Sequence, residues 1–144
     1  MSAFNGAKLA LLLADRVLVY RRDDKAGIPF PDHWDLPGGG REGDEDPAQC
    51  ALRELEEEFA LRLTPERLVW QRRYEGVRPQ ALPSYFLVGD LTPDEVQAIR
   101  FGDEGQYWTL MAIDDFLDHP AAVPYLKARL RDYLAQRGCV GGRG

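Results

Sequence analysis

The sequence predicts an α/β layered domain, with strands and helices interspersed along one chain. Three observations point there. Apolar runs of strand length alternate with amphipathic segments of helical length. Two of those segments open on capping motifs, at Asp46 and Thr92. The 144 residues contain no internal repeat and no linker, which favours one domain large enough for a real core.

Residues 7–22 hold two apolar runs around Asp15-Arg16, predicting two antiparallel strands joined by a tight turn, the second ending in Arg21 and Arg22. Residues 23–33 predict a loop containing Pro29 and Pro31, and Trp34 to Pro37 a short extended segment entering a glycine-rich loop at Gly38, Gly39 and Gly40. A helix follows from Asp46 to Phe59. Asp46 suits the N-cap, Pro47 the first helical position and Gln49 the capping-box position.

At roughly 100° per residue, Ala48, Ala51, Leu52, Leu55 and Phe59 share one stripe, expected to face a core. Glu54, Glu57 and Glu58 fall on the adjacent arc, and Glu56 points to water. Glutamates form helices well, and an arbitrary glutamate-rich helix is best taken as a solvated face. Here Glu54 and Glu58 form a like-charge i,i+4 pair that no helix lysine relieves, and on the helix Arg53 can pair only with Glu57. Clustered hard oxygen ligands suit Mg²⁺ or Mn²⁺.

Thr64-Pro65 breaks the chain, and strands are expected at Leu68 to Tyr74 and Ser84 to Leu91. A second helix starts at Thr92, with Glu95 in the capping-box position, and is expected to end near Phe101-Gly102. A charged loop, Asp103-Glu104-Gly105, precedes a strand around Tyr107 to Met111; Asp114-Asp115 opens a helical turn. The spacing of Leu126, Leu130, Tyr133 and Leu134 predicts a last helix from Pro124 to about Gln136. One domain over residues 1–137 is therefore expected, with 138–144 as a mobile tail.

The net charge of −6 argues against a protein that coats nucleic acid or a membrane surface. An acidic protein handling phosphates needs divalent cations. Cys50 and Cys139 lack metal-ligand spacing and suggest incidental reduced thiols. The apolar run Leu9 to Ala14 is too short for a membrane span or a typical signal segment, so a cytoplasmic location is expected. His33 and His119 are isolated, serine occurs only at Ser2 and Ser84, and no Gly-Lys-Ser/Thr follows the glycines. Trp34, Phe30, Tyr74, Tyr85 and Phe86 could stack on a base, although strand aromatics more often serve the core.

The run from Leu36 to Leu61 resembles the Nudix box, G-x5-E-x7-R-E-U-x-E-E-x-G-U, where U is bulky and aliphatic. Gly39, Glu45, Arg53, Glu54, Leu55, Glu57, Glu58 and Leu61 are in register. Ala60 stands where the family has glycine, and at positive φ it would cost roughly 1 kcal/mol. That departure bears on the helix end more than on the chemistry.

The resemblance implies a Nudix-type α/β/α sandwich, with a mixed sheet between helices and the box helix beside the cleft. It implies a Mg²⁺-dependent pyrophosphohydrolase (Mn²⁺ being possible) acting on a small-molecule nucleotide, a nucleoside diphosphate linked to another group. Metal would be held by Glu54, Glu57, Glu58 and the Gly38 carbonyl. Arg53 would orient a glutamate, with Gly39 and Glu45 supporting the motif. The general base would be a box glutamate such as Glu57 or a distant-loop acid, Glu104 first and Asp103 second. Arg22, and less specifically Arg21, would contact phosphate.

A MutT-like conversion of a nucleoside triphosphate to monophosphate and pyrophosphate is the leading expectation. ADP-ribose or a dinucleoside polyphosphate is the alternative within the class. A nucleotide-sensing module without turnover, or an interaction domain with an acidic helix, is the alternative outside it. No polymeric nucleic acid or membrane partner is expected, and the chain would be a monomer or a homodimer.

Overall fold

The computed structural model describes residues 3–141, with side chains described to residue 137. Seven strands form one mixed sheet: β1 (Gly6–Leu13), β2 (Arg16–Arg21), β3 (Trp34–Asp35), β4 (Gly38–Gly40), β5 (Leu68–Tyr74), β6 (Ser84–Asp90) and β7 (Tyr107–Ala112). The helices are α1 (Pro47–Phe59), α2 (Pro93–Gln97), α3 (Ile113–Asp118) and α4 (Pro124–Gly141), with a 3₁₀ turn at Pro65–Arg67.

The main strand order is β3-β2-β1-β6-β5. β1 runs parallel to β6 along Ala7↔Tyr85 to Leu12↔Asp90. Its other edge is shared, with β2 antiparallel at Leu12↔Val17 and β4 antiparallel at Ala7↔Gly39. β7 pairs antiparallel with β2.

Strand alternation divides the core between the two faces of the sheet. Ala10, Leu12, Val17, Val19, Phe86 and Val88 pack with Phe116, Leu126 and Leu130 of α3 and α4. Leu9, Leu11, Leu18 and Leu87 pack with Ala51, Leu55 and Phe59 of α1. The result is the α/β/α sandwich. Leu55 and Phe59 are fully buried, and each contributes roughly 1.5–3 kcal/mol of apolar transfer.

α1 starts as expected. Asp46 Oδ1 accepts from the Gln49 N–H at 2.8 Å, and Gln49 Oε1 accepts from the Asp46 N–H at 2.9 Å. Its buried stripe includes Pro47 and Cys50, while Ala48 and Leu52 are only half-buried. Burial pushes the Cys50 thiol up to about 11, in keeping with an inert core residue. The helix ends at Ala60, whose φ of 57° and ψ of 32° are left-handed, with its N–H donating to the Glu56 carbonyl at 2.9 Å. The alanine therefore adopts the glycine conformation.

Three expectations are corrected. Gly38–Gly40 is a strand, because its backbone finds ladder partners on β1 that local propensity could not reveal. α2 stops at Gln97, a few residues before Phe101-Gly102. α4 continues beyond Gln136 to Gly141, and the rest of the expected tail, 142–144, lies outside the described residues. Among the described residues, no helix is long and apolar enough to cross a membrane.

Candidate active site

The site begins where β4 lies against β1 and α1 packs behind it. Gly38 has φ of 131°, and a Cβ there would strike the Ala7 carbonyl and come within 2.7 Å of the Lys8 Cα. A Cβ on Gly39 would enter the Glu54 carboxylate, with Cδ at 2.7 Å. Gly38 lets β4 close against β1, and Gly39 lets the Glu54 carboxylate of α1 reach the β4 backbone. The Gly38 N–H donates to Glu58 Oε1 at 3.0 Å.

Glu58 is largely buried, and desolvation pushes its carboxyl up to about 8 against the lowering effect of the Gly38 N–H and Lys8; the Glu54 charge adds to the rise. Glu54 is raised as well, first by desolvation, with Glu57 and Glu104 adding like charge and Arg53 opposing. Four acids thus share one electrostatic neighbourhood. Glu104 stands in it because its loop is tied at both ends. The Gly102 N–H donates to the Glu58 carbonyl at 2.9 Å, and the Gln106 N–H to the Arg21 carbonyl at 2.8 Å. Glu104 and Asp103 are both exposed.

Arg53 is the hub of the ridge. Its Nε donates to Glu45 Oε2 at 2.6 Å, its Nη2 to Glu45 Oε1 at 3.2 Å and to the Gly40 carbonyl at 2.8 Å. Its Nη1 is farther from Glu57 Oε1, at 3.3 Å, and from Glu54 Oε2, at 3.5 Å. Tertiary folding thus gives Arg53 more partners than Glu57. The short contacts fix it on Glu45; the long ones leave Glu57, with 57% of its side chain exposed, free to turn.

Among the described residues no three His, Cys, Asp or Glu side chains converge on one point at metal-ligand distance. Glu58 is turned to the Gly38 N–H and Glu57 toward Arg53. The donor set nevertheless fits a hard divalent cation: carboxylates of Glu54, Glu57 and Glu58 beside the Gly38 carbonyl, with raised carboxyls that a cation would relieve.

Arg21 and Arg22 are committed internally. Arg21 Nε donates to Asp32 Oδ1 at 2.9 Å, and its guanidinium lies 5.1 Å from the Trp34 ring centroid. Arg22 Nε donates to the Pro29 carbonyl and Nη1 to Asp35 Oδ2, both at 2.8 Å. Both expected phosphate-contact arginines thus pair with loop and core groups. Trp34 and Phe86 are core residues.

Sequence reasoning missed the group beneath β4. Asp35, 2% exposed, accepts on Oδ2 from Lys8 Nζ at 3.1 Å, Arg22 Nη1 at 2.8 Å and the Tyr20 hydroxyl at 3.0 Å. Its Oδ1 accepts from the Leu36 N–H at 2.7 Å. Despite desolvation, Lys8, Arg22 and the Leu36 N–H hold its carboxyl below the usual range. Lys8 also donates to the Leu36 carbonyl at 3.1 Å. The lone charge of Lys8 within GAKLALLL was the available signal.

Also missed was a cleft of about 960 Å³ that begins at Gly39, Gly40 and Lys8 and extends past Tyr85 to Tyr125 and Arg129, roofed by the loop 75–82. Its volume suits a nucleotide-sized ligand. The acids and the cleft meet at Gly39.

The NUDIX domain model matches residues 5–133. A curated RNA pyrophosphohydrolase of Acidiphilium cryptum (strain JF-5) is 53% identical over 46 residues, which are 32% of this chain and 27% of that protein. The chain thus aligns with only about a quarter of that relative's length. The MutT protein of Methanosarcina mazei Go1 shares the fold at a TM-score of 0.69, with 17% identity over 92% of this chain and 93% of that one. A bifunctional NMN adenylyltransferase/ADP ribose pyrophosphatase of Francisella tularensis, complexed with AMP and Mn ion, matches at a TM-score of 0.57 and 25% identity, covering 76% of this chain and 34% of that one. With the box residues gathered where β4 meets α1 and the NUDIX domain model matching nearly the whole chain, this protein belongs to the Nudix family.

Proposed function

We propose that the chain is a Mg²⁺-dependent pyrophosphohydrolase that cleaves a nucleoside diphosphate linked to a further group, most simply a nucleoside triphosphate to monophosphate and pyrophosphate. The observation that carries this reading is the placement of the Glu54 carboxylate against Gly39 and of Glu58 at the Gly38 N–H, with the charges of Glu57 and Glu104 acting on Glu54. An acidic site facing an anionic substrate requires a cation between them.

Mg²⁺, or Mn²⁺, held by Glu54, Glu57, Glu58 and the Gly38 carbonyl would neutralise the diphosphate and acidify water. The chain's own groups do the rest. Arg53, fixed on Glu45, sets a positive charge beside Glu54 and Glu57 while leaving Glu57 free to turn toward a cation. Glu104, or Glu57 itself, takes the proton as water oxygen bonds to one phosphorus. The anhydride bond breaks on that phosphorus, and the leaving phosphate keeps the electron pair. Lys8 places positive charge at the cleft end nearest the acids while holding Gly38 in position.

The test is product release from a nucleotide panel containing triphosphates, ADP-ribose and dinucleoside polyphosphates, with products resolved by mass. Turnover should require Mg²⁺ or Mn²⁺, stop with chelator and fall at least a hundredfold in Glu57→Gln. A folded protein that shifts its Tm with nucleotide and releases no product would refute the reading.

A further inference from the structure

Arg129 is the feature of the cleft that hydrolysis alone does not use. It lies on α4, with its guanidinium 4.4 Å from the Tyr74 ring centroid and 4.9 Å from that of Tyr125. Every other half-buried arginine among the described residues meets a carboxylate or a carbonyl: Arg21 Asp32, Arg22 Asp35, Arg41 the Glu45 carbonyl, Arg53 Glu45, and Arg67 Glu95. Among those residues Arg129 alone finds neither, although burial lowers its pKa from the ordinary value. The rings hold the fork in place without occupying its N–H edge.

The nearby Asp132, whose charge acts on Arg129, accepts from the Tyr74 hydroxyl at 2.8 Å, and the lining of the cleft itself is one-sided. Lys8, Arg78 and Arg129 line the cleft with one acid, Glu75, which is held by Arg73 Nε at 2.7 Å. Lys8 spends its donors on Asp35 and on the Leu36 and Gly38 carbonyls, next to the catalytic acids. Arg129 belongs to a different wall, built by α4 and the 75–82 loop rather than by β1 and β4, with Tyr74 of β5 behind it. In a protein of net charge −6, this is a local cationic lining, with Arg78 and Arg129 at the end remote from Lys8.

We infer that Arg129, clamped between Tyr74 and Tyr125, recognises a second phosphate on the substrate, separate from the diphosphate that is cut. This rests on the hydrolase reading above and narrows it. The favoured substrate is a nucleotide bearing phosphate on both sides of its ribose, and the unspent fork is matched to two oxygens of that outer group. Such a phosphate can come from a terminal ribose 2′- or 3′-monophosphate, or from the next phosphodiester of a short oligonucleotide.

The experiment measures Kd by calorimetry for AMP, adenosine 3′,5′-bisphosphate, adenosine 2′,5′-bisphosphate and the dinucleotide pApA. None contains an anhydride, so binding is read whether or not the chain turns anything over; failure of the hydrolase reading and failure of this inference are separate outcomes. At least one second-phosphate compound should bind ten- to a hundredfold tighter than AMP, and its identity tells a terminal phosphate from a bridging one. Arg129→Gln should erase that preference while leaving the AMP affinity within about twofold, and Glu57→Gln should leave the preference intact. Equal binding of all four compounds by the wild type overturns the inference with no variant needed. So does an Arg129→Gln protein that loses AMP and bisphosphate affinity by the same factor, which would make Arg129 a contact for the nucleoside instead.

Discussion

Asp35→Asn tests the frame beneath the active site. Three donors converge on Asp35 Oδ2: Lys8 Nζ at 3.1 Å, Arg22 Nη1 at 2.8 Å and the Tyr20 hydroxyl at 3.0 Å. An asparagine keeps the Leu36 N–H contact through its carbonyl oxygen but turns a donor NH₂ toward those three. The tyrosine can rotate and accept; the two cations cannot. Removing one partner of a buried ion pair costs about 3–5 kcal/mol. Lys8 and Arg22 keep 16% and 22% of their side chains exposed, which places the expected loss near the low end. That is a drop of roughly 10 °C in Tm for a domain of this size.

The pH dependence has a defined sign. The folded-state pKa of Asp35 is depressed, so its contribution is complete above the unfolded value of about 3.9 and is lost as pH falls through the folded one. Urea unfolding of wild type and Asp35→Asn, run from pH 7 to pH 3, should show a gap that is constant at neutral pH and closes below about pH 4. A gap below 1 kcal/mol at pH 7, or one unchanged at pH 3, would refute the reasoning.

Two further outcomes follow from the glycine and alanine positions. Ala60→Gly should stabilise the protein by about 0.5–1 kcal/mol, because relief of the left-handed penalty exceeds the added unfolded-chain entropy; denaturant midpoints check this, with activity unchanged. Gly39→Ala should fold, since its φ lies outside the left-handed region, yet its methyl displaces Glu54; turnover should fall about a hundredfold with little change in Tm.

Much of this arrangement was legible in the sequence, and the legible parts are local. Asp46, Pro47 and Gln49 cap α1 through contacts spanning three residues, and Thr92 with Glu95 does the same for α2. The period-two runs of β1 and β2 separate Leu9 and Leu11 from Ala10 and Leu12 as the sheet does. The acidic arc of α1 follows from helix geometry alone. The parts that were not legible depend on long-range pairing. Nothing in three glycines announces a strand until β1 supplies its ladder. Asp35 gains its meaning from Lys8 and Tyr20, which arrive from other strands, and so its pairing with Arg22 could not be foreseen. The cleft is assembled from β1, the 75–82 loop and α4, and Arg129 joins it only through the rings of Tyr74 and Tyr125.

The loop carrying Glu104 is stitched at Gly102 to the end of α1 and at Gln106 to the end of β2, and both stitches are main-chain bonds. Residues 103 and 104 therefore hang between two pins to which their own side chains contribute nothing, the second reinforced by the Gln106 side chain on the Arg22 carbonyl and Asp32. Such a hammock allows the acid at its lowest point to be exchanged, shifted by one place or lost without loosening either scaffold element. A chain with the box intact and only this acid replaced should therefore keep its melting curve, and its turnover would tell whether Glu104 or Glu57 takes the proton.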